Sequence, residues 1–221
     1  MQKKVDKRNT TVYLDLTKNE GTLLKEMNKK TRNLIRKAQK KGIQISISEN
    51  KEDLKEFTKL YTKTMKRANA SSKYFFPLKF FTNTFKYLKN NAKLFVAKYN
   101  GKIIASSIFL HKQDLLHYHF SGSDENYLNL APNNLLLWEA AKWGKRMGCT
   151  KFHLGGGLSD NYDDSLFHFK SGFSNTLSKF YTVNVIHNNN VYKTLNILKN
   201  ESKLKKDGVP INGNFFPKYR G

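Results

Sequence analysis

The chain has 221 residues, of which 38% are hydrophobic and 13% aromatic, and its formal net charge at pH 7 is +23. This composition supplies a packed core and excludes a disordered chain, while the longest apolar run, at residues 103–110, falls short of the roughly 20 residues that span a bilayer. A single cysteine, Cys149, excludes an internal disulfide, and its place after the end of a predicted helix suggests a buried thiol rather than a nucleophile. We therefore expect a cytoplasmic, globular protein with no integral membrane segment.

The basic charge has two interpretations. An excess of this size is typical of proteins that bind nucleic acid, phosphorylated substrates or anionic membrane surfaces. However, six of the 40 basic residues are arginine, the residue favoured for bidentate phosphate recognition. A lysine-rich and asparagine-rich composition also follows from AT-biased coding sequence. The charge is thus either functional or compositional.

The sequence of residues 11–91 predicts two strands and three helices. Alternation predicts a strand at residues 11–16, and apolar spacing predicts one long helix at residues 20–41, which ends at Gly42. Ile43, Ile45 and Ile47 alternate with polar residues in a second strand. Helices follow from residue 50 to about 65 and from Pro77 to about residue 91.

The middle of the chain predicts an antiparallel meander. Residues 94–122 contain three apolar stretches, which turns at Asn100-Gly101 and Gln113-Asp114 separate. A helix from Pro132 to Met147, a strand at residues 151–157, a short helix at residues 165–170, a strand at residues 179–186 and a helix at residues 190–199 follow. The last twenty residues predict a loose tail.

This order of elements predicts an α+β fold in which a strand–helix–strand crossover places two strands parallel after the meander. A cleft opens where the crossover strand leaves its neighbour, and the three glycines at its end lie at the mouth of that cleft. We expect an N-terminal strand and connecting helix at residues 1–42, a catalytic domain at residues 43–205 and a tail at residues 206–221.

Four segments of the chain carry a family resemblance in combination. They are LLKEMNKKTRNLIRKAQKKGI (residues 23–43), HYHFSGSD (residues 117–124), APNNLLLWEAAKWGKRMGCTKFHLGGG (residues 131–157) and LFHFKSGFS (residues 166–174). They resemble the FemAB family of peptidoglycan-bridge aminoacyltransferases, within the GNAT acyltransferase superfamily. FemAB proteins usually contain two GNAT-like domains, whereas this sequence contains one.

The resemblance implies a mixed, mostly antiparallel sheet flanked by helices, and it implies an activity. That activity is transfer of an acyl or aminoacyl group to an amine of a cell-wall peptide or sugar-nucleotide precursor, with aminoacyl-tRNA as donor and no metal or other cofactor. Acetyl-CoA is the alternative donor, for N-acetylation of an amino sugar or amine. The segment LNLAPNNLLLW lacks the glycine-rich loop that holds the CoA pyrophosphate in ordinary GNAT enzymes. A third alternative is a non-catalytic RNA-binding domain that uses the aromatic stretch at residues 71–81.

Candidate catalytic residues follow from what amide formation needs, which is oxyanion stabilisation and proton transfer. The resemblance places Lys170 near the transferring carbonyl, and its alternative is a solvated helix lysine. His117 and His119 alternate with Leu116, Tyr118 and Phe120, so both histidines project from one face of their strand while the apolar set covers the other. They and His153 are candidates for moving a proton or binding the donor, the alternative being structural histidines. Without a third ligand at convincing spacing, we expect no metal site.

Further residues are candidates for binding substrate. A strand end where side chains would block a ligand explains three consecutive glycines, and basic residues on one helical face suit a diphosphate or tRNA backbone. The alternatives are a turn, an acidic surface loop, a helix cap and a solvated helical face. The candidates are Gly155, Gly156, Gly157, Asp160, Arg32, Arg36, Lys37, Asn133 and Asn134.

Overall fold

The computed structural model describes residues 2–158, 164–210 and 216–220. The chain forms two compact units, a larger one of Thr10–Ser178 and a smaller one of Met1–Asn9 with Lys179–Gly221. The domain boundaries expected after residues 42 and 205 stay a prediction.

The described residues form seven α-helices and seven strands, together with four short 3-10 helices. The helices are α1 (Glu20–Glu26), α2 (Lys29–Lys40), α3 (Lys51–Arg67), α4 (Leu78–Leu88), α5 (Pro132–Arg146), α6 (Ser165–Ser171) and α7 (Asn189–Asp207). The strands are β1 (Gln2–Asp15), β2 (Gln44–Ser48), β3 (Ala92–Tyr99), β4 (Lys102–Lys112), β5 (Leu115–Ser123), β6 (Lys151–Gly155) and β7 (Leu177–Ile186). They form one sheet in the order β2-β3-β4-β5-β6-β1-β7. Because β5 and β6 are parallel and the neighbouring pairs antiparallel, the predicted α+β fold is confirmed.

The meander β3-β4-β5 forms as its turn residues predict. Asn100 and Gly101 have φ angles of 48° and 77°, and two consecutive positive φ values suit the twist of a two-residue hairpin. Gln113, in the second turn, has a φ of 54°. Helix α5 then crosses from the end of β5 to β6, which pairs with β5 in parallel.

The single long helix predicted at residues 20–41 is wrong, because the chain breaks between α1 and α2. Met27 is extended, with a ψ of 146°. Asn28 begins α2 by accepting a hydrogen bond from the Thr31 N–H at 2.7 Å, which offers the backbone an alternative to continuing the helix. The Asn28 N–H donates to the Gly172 carbonyl at 3.0 Å. The break therefore places the start of α2 against the end of α6.

The predicted end of the last helix is also wrong, because in the smaller unit α7 continues to Asp207. Residues 200–207 are polar but include Glu201, Leu204 and several lysines, all good helix formers. Gly208 ends the helix in the left-handed conformation, with a φ of 68°.

Two apolar cores lie on the two faces of the sheet in the larger unit. One joins the sheet to α2 and α5 and includes Ile35, Phe109, Leu136, Phe152 and the buried thiol of Cys149. The other joins it to α3 and α4 and includes Phe57, Leu60, Phe81 and Ile108. Complete burial of a side chain such as Phe57 stabilises the fold by about 1.5–3 kcal/mol.

The aromatic stretch at residues 71–81 belongs in part to the second core. Phe81 is fully buried, and the Phe76 and Phe80 rings stack with centroids 4.2 Å apart. Both rings also meet Phe120 of β5 edge-on. Packing within the protein thus accounts for Phe76 and Phe81, whereas Tyr74, Phe75 and Phe80 are exposed.

Candidate active site

The candidate site lies where β5 and β6 part. Strand β5 (Leu115–Ser123) and strand β6 (Lys151–Gly155) begin side by side, and their pairing ends at His117 and His153, which are register partners. Beyond that point β5 continues along β4, and β6 continues along β1, where Gly155 is paired with Val12. The end of β6, the glycines that follow it and helix α6 therefore meet beside the parting strands.

Lys170 is the buried cation of this site. Asp164 begins α6 by accepting a hydrogen bond from the Phe167 N–H at 2.9 Å, and Lys170 lies in the last turn of the same helix. Its side chain is 7% exposed, and its Nζ donates to the Gly156 carbonyl at 2.7 Å. Burial lowers the pKa of Lys170 to about 8, against the opposing effect of the Asp164 charge. A solvated helix lysine is excluded, and the ammonium has N–H groups beyond the one that Gly156 accepts.

Tyr118 lies beneath this ammonium, and sequence reasoning missed it. The Lys170 Nζ is 5.9 Å from the centroid of the Tyr118 ring. Burial raises the pKa of the Tyr118 hydroxyl, partly offset by hydrogen bonds with Ser121 and Ser107, whose own hydroxyls are 2.9 Å apart. The position of Tyr118 between two histidines was the available signal. Its closeness to Lys170 of α6 is a property of the tertiary fold.

Glycine is required at residues 155–157 because the backbone there lies very close to helix α6 and its start and to strand β1. Gly155 has a φ of 80°, and a Cβ there would lie 3.2 Å from the Lys170 Nζ. A Cβ on Gly157 would lie 2.5 Å from the carboxyl carbon of Asp164, whose carboxylate also accepts from the Leu158 N–H at 2.5 Å. Gly156 lies equally close to β1, since its Cβ would be 2.7 Å from the Thr10 carbonyl oxygen. This packing presents the Gly156 carbonyl to Lys170.

His117 and His153 form a hydrogen-bonded pair at the point where β5 and β6 part. Their Nδ1 atoms are 2.9 Å apart, and their ring centroids are 5.1 Å apart at an interplanar angle of 23°. Burial lowers the pKa of His117 to about 4, and His153, His119 and Lys170 lower it further through their charges. Burial and then the Lys170 charge lower the pKa of His153. Both rings are therefore neutral at neutral pH.

His119 lies beside this pair but at a bulge. Phe109 is the register partner of Tyr118 and Ile108 that of Phe120, so His119 is an extra residue on β5. Tyr118 and Phe120 consequently pack into opposite cores, and the expectation that both cover the same face is wrong. The His119 ring is 5.5 Å from that of His117 and 4.0 Å from that of Phe120. Desolvation lowers the pKa of His119, although the residue is exposed over much of its surface.

Comparison with known proteins identifies the family. An acetyltransferase (GNAT) domain model matches residues 25–170, which include both parting strands and Lys170. The chain belongs to the GNAT family. The curated UDP-N-acetylmuramoylpentapeptide-lysine N(6)-alanyltransferase of Weissella viridescens is 27% identical over 165 residues, which are 73% of this chain and 48% of that protein.

Solved structures share the fold of this GNAT chain. FemX superposes with a TM-score of 0.73 at 17% identity, over 86% of this chain and 64% of FemX. The C-terminal domain (DUF2156) of a putative lysylphosphatidylglycerol synthetase from Agrobacterium fabrum gives 0.59 at 13% identity, over 96% of this chain and 69% of that domain. The chain thus spans about half of its curated relative and under two thirds of FemX. The prediction of a FemAB-like GNAT protein is confirmed.

The basic candidates on α2 of this GNAT domain have different surroundings. The Arg32 guanidinium donates to the Leu24, Lys25 and Met27 carbonyls at the end of α1. Arg32 therefore serves as a hydrogen-bond donor to the C-terminal end of α1, whereas Arg36 and Lys37 are exposed. Their predicted role in binding a phosphate-bearing substrate stays a prediction.

The interpretation of Asn133 and Asn134 as helix caps is wrong. They follow Pro132 inside the first turn of α5, and Ala131 precedes it in the left-handed conformation, with a φ of 56°. No side chain among the described residues caps this end, and the Asn133 Oδ1 is a buried acceptor without a hydrogen-bond partner there. Asp160 lies outside the described residues. The fold thus brings Lys170, the glycines and His117–His153 to one place and sets the α2 and α5 candidates on their own helices.

The described residues contain neither a membrane-spanning helix nor a metal-binding cluster. No helix among them is both long and apolar enough to cross a bilayer. They also contain no group of three or more His, Cys, Asp or Glu side chains arranged to hold a metal ion.

Proposed function

We propose that this chain transfers an aminoacyl group to an amine, with Lys170 stabilising the oxyanion that forms at the transferring carbonyl. The observation that supports this is the buried Lys170 ammonium, fixed by the Gly156 carbonyl at 2.7 Å. A fixed cation in a desolvated place stabilises developing negative charge far more than a mobile cation in water. With a pKa of about 8, Lys170 is largely protonated at pH 7.

The donor we propose is aminoacyl-tRNA, and the acceptor is the lysine side chain of a sugar-nucleotide-linked cell-wall peptide. The name of the Weissella viridescens relative supports this acceptor class and the alanyl group. The net charge of +23 suits a polyanionic donor and a phosphate-bearing acceptor. The reaction exchanges an ester for an amide, so it requires no metal or redox cofactor, and we place it in the cytoplasm.

The test is transfer of radiolabelled alanine from alanyl-tRNA to UDP-N-acetylmuramoyl-pentapeptide by the purified chain, with the product identified by mass spectrometry. Lys170→Met is the matched control, since it keeps the length of the side chain and removes the charge. We expect the wild type to produce a labelled peptide and the variant to react much more slowly. Equal amounts of product from both proteins would contradict the proposed role of Lys170.

Binding of tRNA should weaken steeply with salt. Each neutralised phosphate releases counterions, so the affinity for single-stranded or double-stranded RNA falls with a slope set by the number of contacts. We expect at least about a tenfold loss in affinity between 50 and 200 mM salt, measured by filter binding. An affinity that does not change over this range would mean that the basic charge is compositional.

Acetyl-CoA-dependent N-acetylation is a second candidate, favoured by the start of α5. This helix end has no side-chain cap among the described residues. Pro132 has no N–H and the Asn134 N–H donates to the Ala131 carbonyl at 3.2 Å, which leaves Asn133 as the first-turn residue whose N–H can meet an anion such as a pyrophosphate. Incubation with acetyl-CoA and the same acceptor distinguishes the candidates. An acetylated product that forms without tRNA would favour this reaction over aminoacyl transfer.

A further inference from the structure

The His117–His153 pair has a geometry that ordinary structural histidines do not need. The two residues are register partners on adjacent parallel strands, so their side chains lie on the same face of the sheet. Their Nδ1 atoms are 2.9 Å apart, which is a normal N–H···N hydrogen bond. One Nδ1 must donate and the other accept, so the pair shares a single proton at this contact.

The shared contact determines the state of the outer nitrogens. The ring that donates through Nδ1 has a bare Nε2, which is a proton acceptor when the ring is neutral. The ring that accepts at Nδ1 has a protonated Nε2, which is a donor. A neutral pair therefore presents one base and one acid, joined by a hydrogen bond along which a proton can pass.

We infer that His117 and His153 form a proton relay for the transfer reaction, taking a proton from the acceptor amine and returning one to the leaving oxygen of the donor ester. The inference rests on the proposed function. The acceptor reacts as the neutral amine. As its nitrogen bonds to the carbonyl carbon, the bare Nε2 takes one N–H proton, that ring passes its Nδ1 proton to the partner, and the partner releases its Nε2 proton. The carbon–oxygen ester bond breaks and the leaving alkoxide takes the released proton, so the proton lost by the amine nitrogen equals the one gained by the leaving oxygen.

The groups that face this pair favour its neutral form. Lys170 of α6 lies on one side, and its charge lowers the pKa of both histidines. His119 of β5 is a ring neighbour of His117, and Tyr13 of β1 is the register partner of His153. Among the described residues, Asp164 contributes an acidic group at the start of α6, and it acts on the Lys170 pKa. A neutral pair can receive a proton at neutral pH, which an imidazolium cannot.

The first test is nitrogen-15 NMR of the wild-type histidine side chains, which needs no substrate. We expect both rings to be neutral at pH 7, with one Nδ1 protonated and the other an acceptor. We also expect them to titrate as a pair well below pH 6.5. Independent titration near pH 6.5, or two rings that both lack an Nδ1 proton, would overturn the relay whatever the activity of the protein.

The second test is single-turnover transfer by His117→Gln, His153→Gln and the double variant, with alanyl-tRNA and UDP-N-acetylmuramoyl-pentapeptide. Glutamine can form hydrogen bonds but cannot relay a proton. We expect each single variant to lose about a hundredfold or more in rate, and the double variant to lose little beyond that, because the two rings act as a unit. His187→Gln, an exposed histidine of the smaller unit, is the control and should retain the wild-type rate.

A solvent-isotope measurement separates the relay from a structural role. If two protons move in the rate-limiting step, the wild-type rate falls non-linearly with the deuterium fraction of the solvent, whereas the dependence in the variants is linear. Variants that melt like the wild type and keep its rate within about threefold would overturn the relay alone. A wild-type protein that transfers no acyl group from either alanyl-tRNA or acetyl-CoA would overturn the proposed function, and the relay with it.

Discussion

Replacing Lys170 with methionine should abolish most activity without destabilising the fold. Removing one oxyanion donor typically lowers kcat about a hundredfold to a thousandfold, or by about 3–4 kcal/mol. The effect on stability follows from burial. The change in the Lys170 pKa from 10.5 to about 8 corresponds to about 3 kcal/mol of cost for holding the charge in the folded protein. Methionine removes this cost but leaves the Gly156 carbonyl without its donor, at about 1–3 kcal/mol. The two terms nearly cancel.

The sign of the pH dependence gives a second measurement on the same variant. Between pH 8 and 10.5 the unfolded chain still binds the proton that folded Lys170 has released, so the free energy of unfolding of the wild type rises with pH in this window. Lys170→Met lacks this group and should show no such rise. Below pH 8 the lysine is protonated in both states, and its contribution to the pH slope vanishes.

The assays are single-turnover transfer at pH 7 and chemical denaturation at pH 7, 8.5 and 10. We expect a slow variant whose stability at pH 7 equals or exceeds that of the wild type, with a difference that moves in favour of the wild type as the pH rises. A Lys170→Met protein that melts normally and turns over at nearly the full rate would remove Lys170 from the mechanism. A variant that unfolds at pH 7 would show that the ammonium is needed for the fold.

Three further substitutions test the surroundings of the site. Gly157→Ala should lower the melting temperature and the activity together, since the added Cβ would lie 2.5 Å from the Asp164 carboxyl carbon; an unchanged melting curve would contradict this packing. Arg32→Ala should cost about 1–3 kcal/mol in denaturation, because it leaves the carbonyls at the end of α1 without a donor, whereas Arg36→Ala should leave stability unchanged and raise KM for a phosphate-bearing substrate. Asp164→Asn should move the alkaline limb of the kcat/KM profile to lower pH, because the Asp164 charge raises the Lys170 pKa; a limb that stays in place would separate that limb from Lys170.

Local sequence determined most of the elements of the larger unit. The apolar stretches at β3, β4 and β5 and the turn at Asn100-Gly101 predicted the meander, because both depend on residues within a few positions of one another. The start of α5 at Pro132 and the buried thiol of Cys149 followed in the same way. The resemblance indicated Lys170 as a site residue, since LFHFKSGFS is one continuous segment.

Tertiary structure decided the properties on which the proposed chemistry depends. The Lys170 ammonium is fixed by a carbonyl 14 positions away, and His117 is bonded to a histidine 36 positions away. The helix break at Asn28 is held by the Gly172 carbonyl, and the bulge at His119 follows from pairing with β4. Periodicity records which face of an element is apolar, but the pKa of a side chain depends on what burial removes from water and on charges that other elements bring close. The parting of β5 from β6 sets both, and it is a property of the assembled sheet.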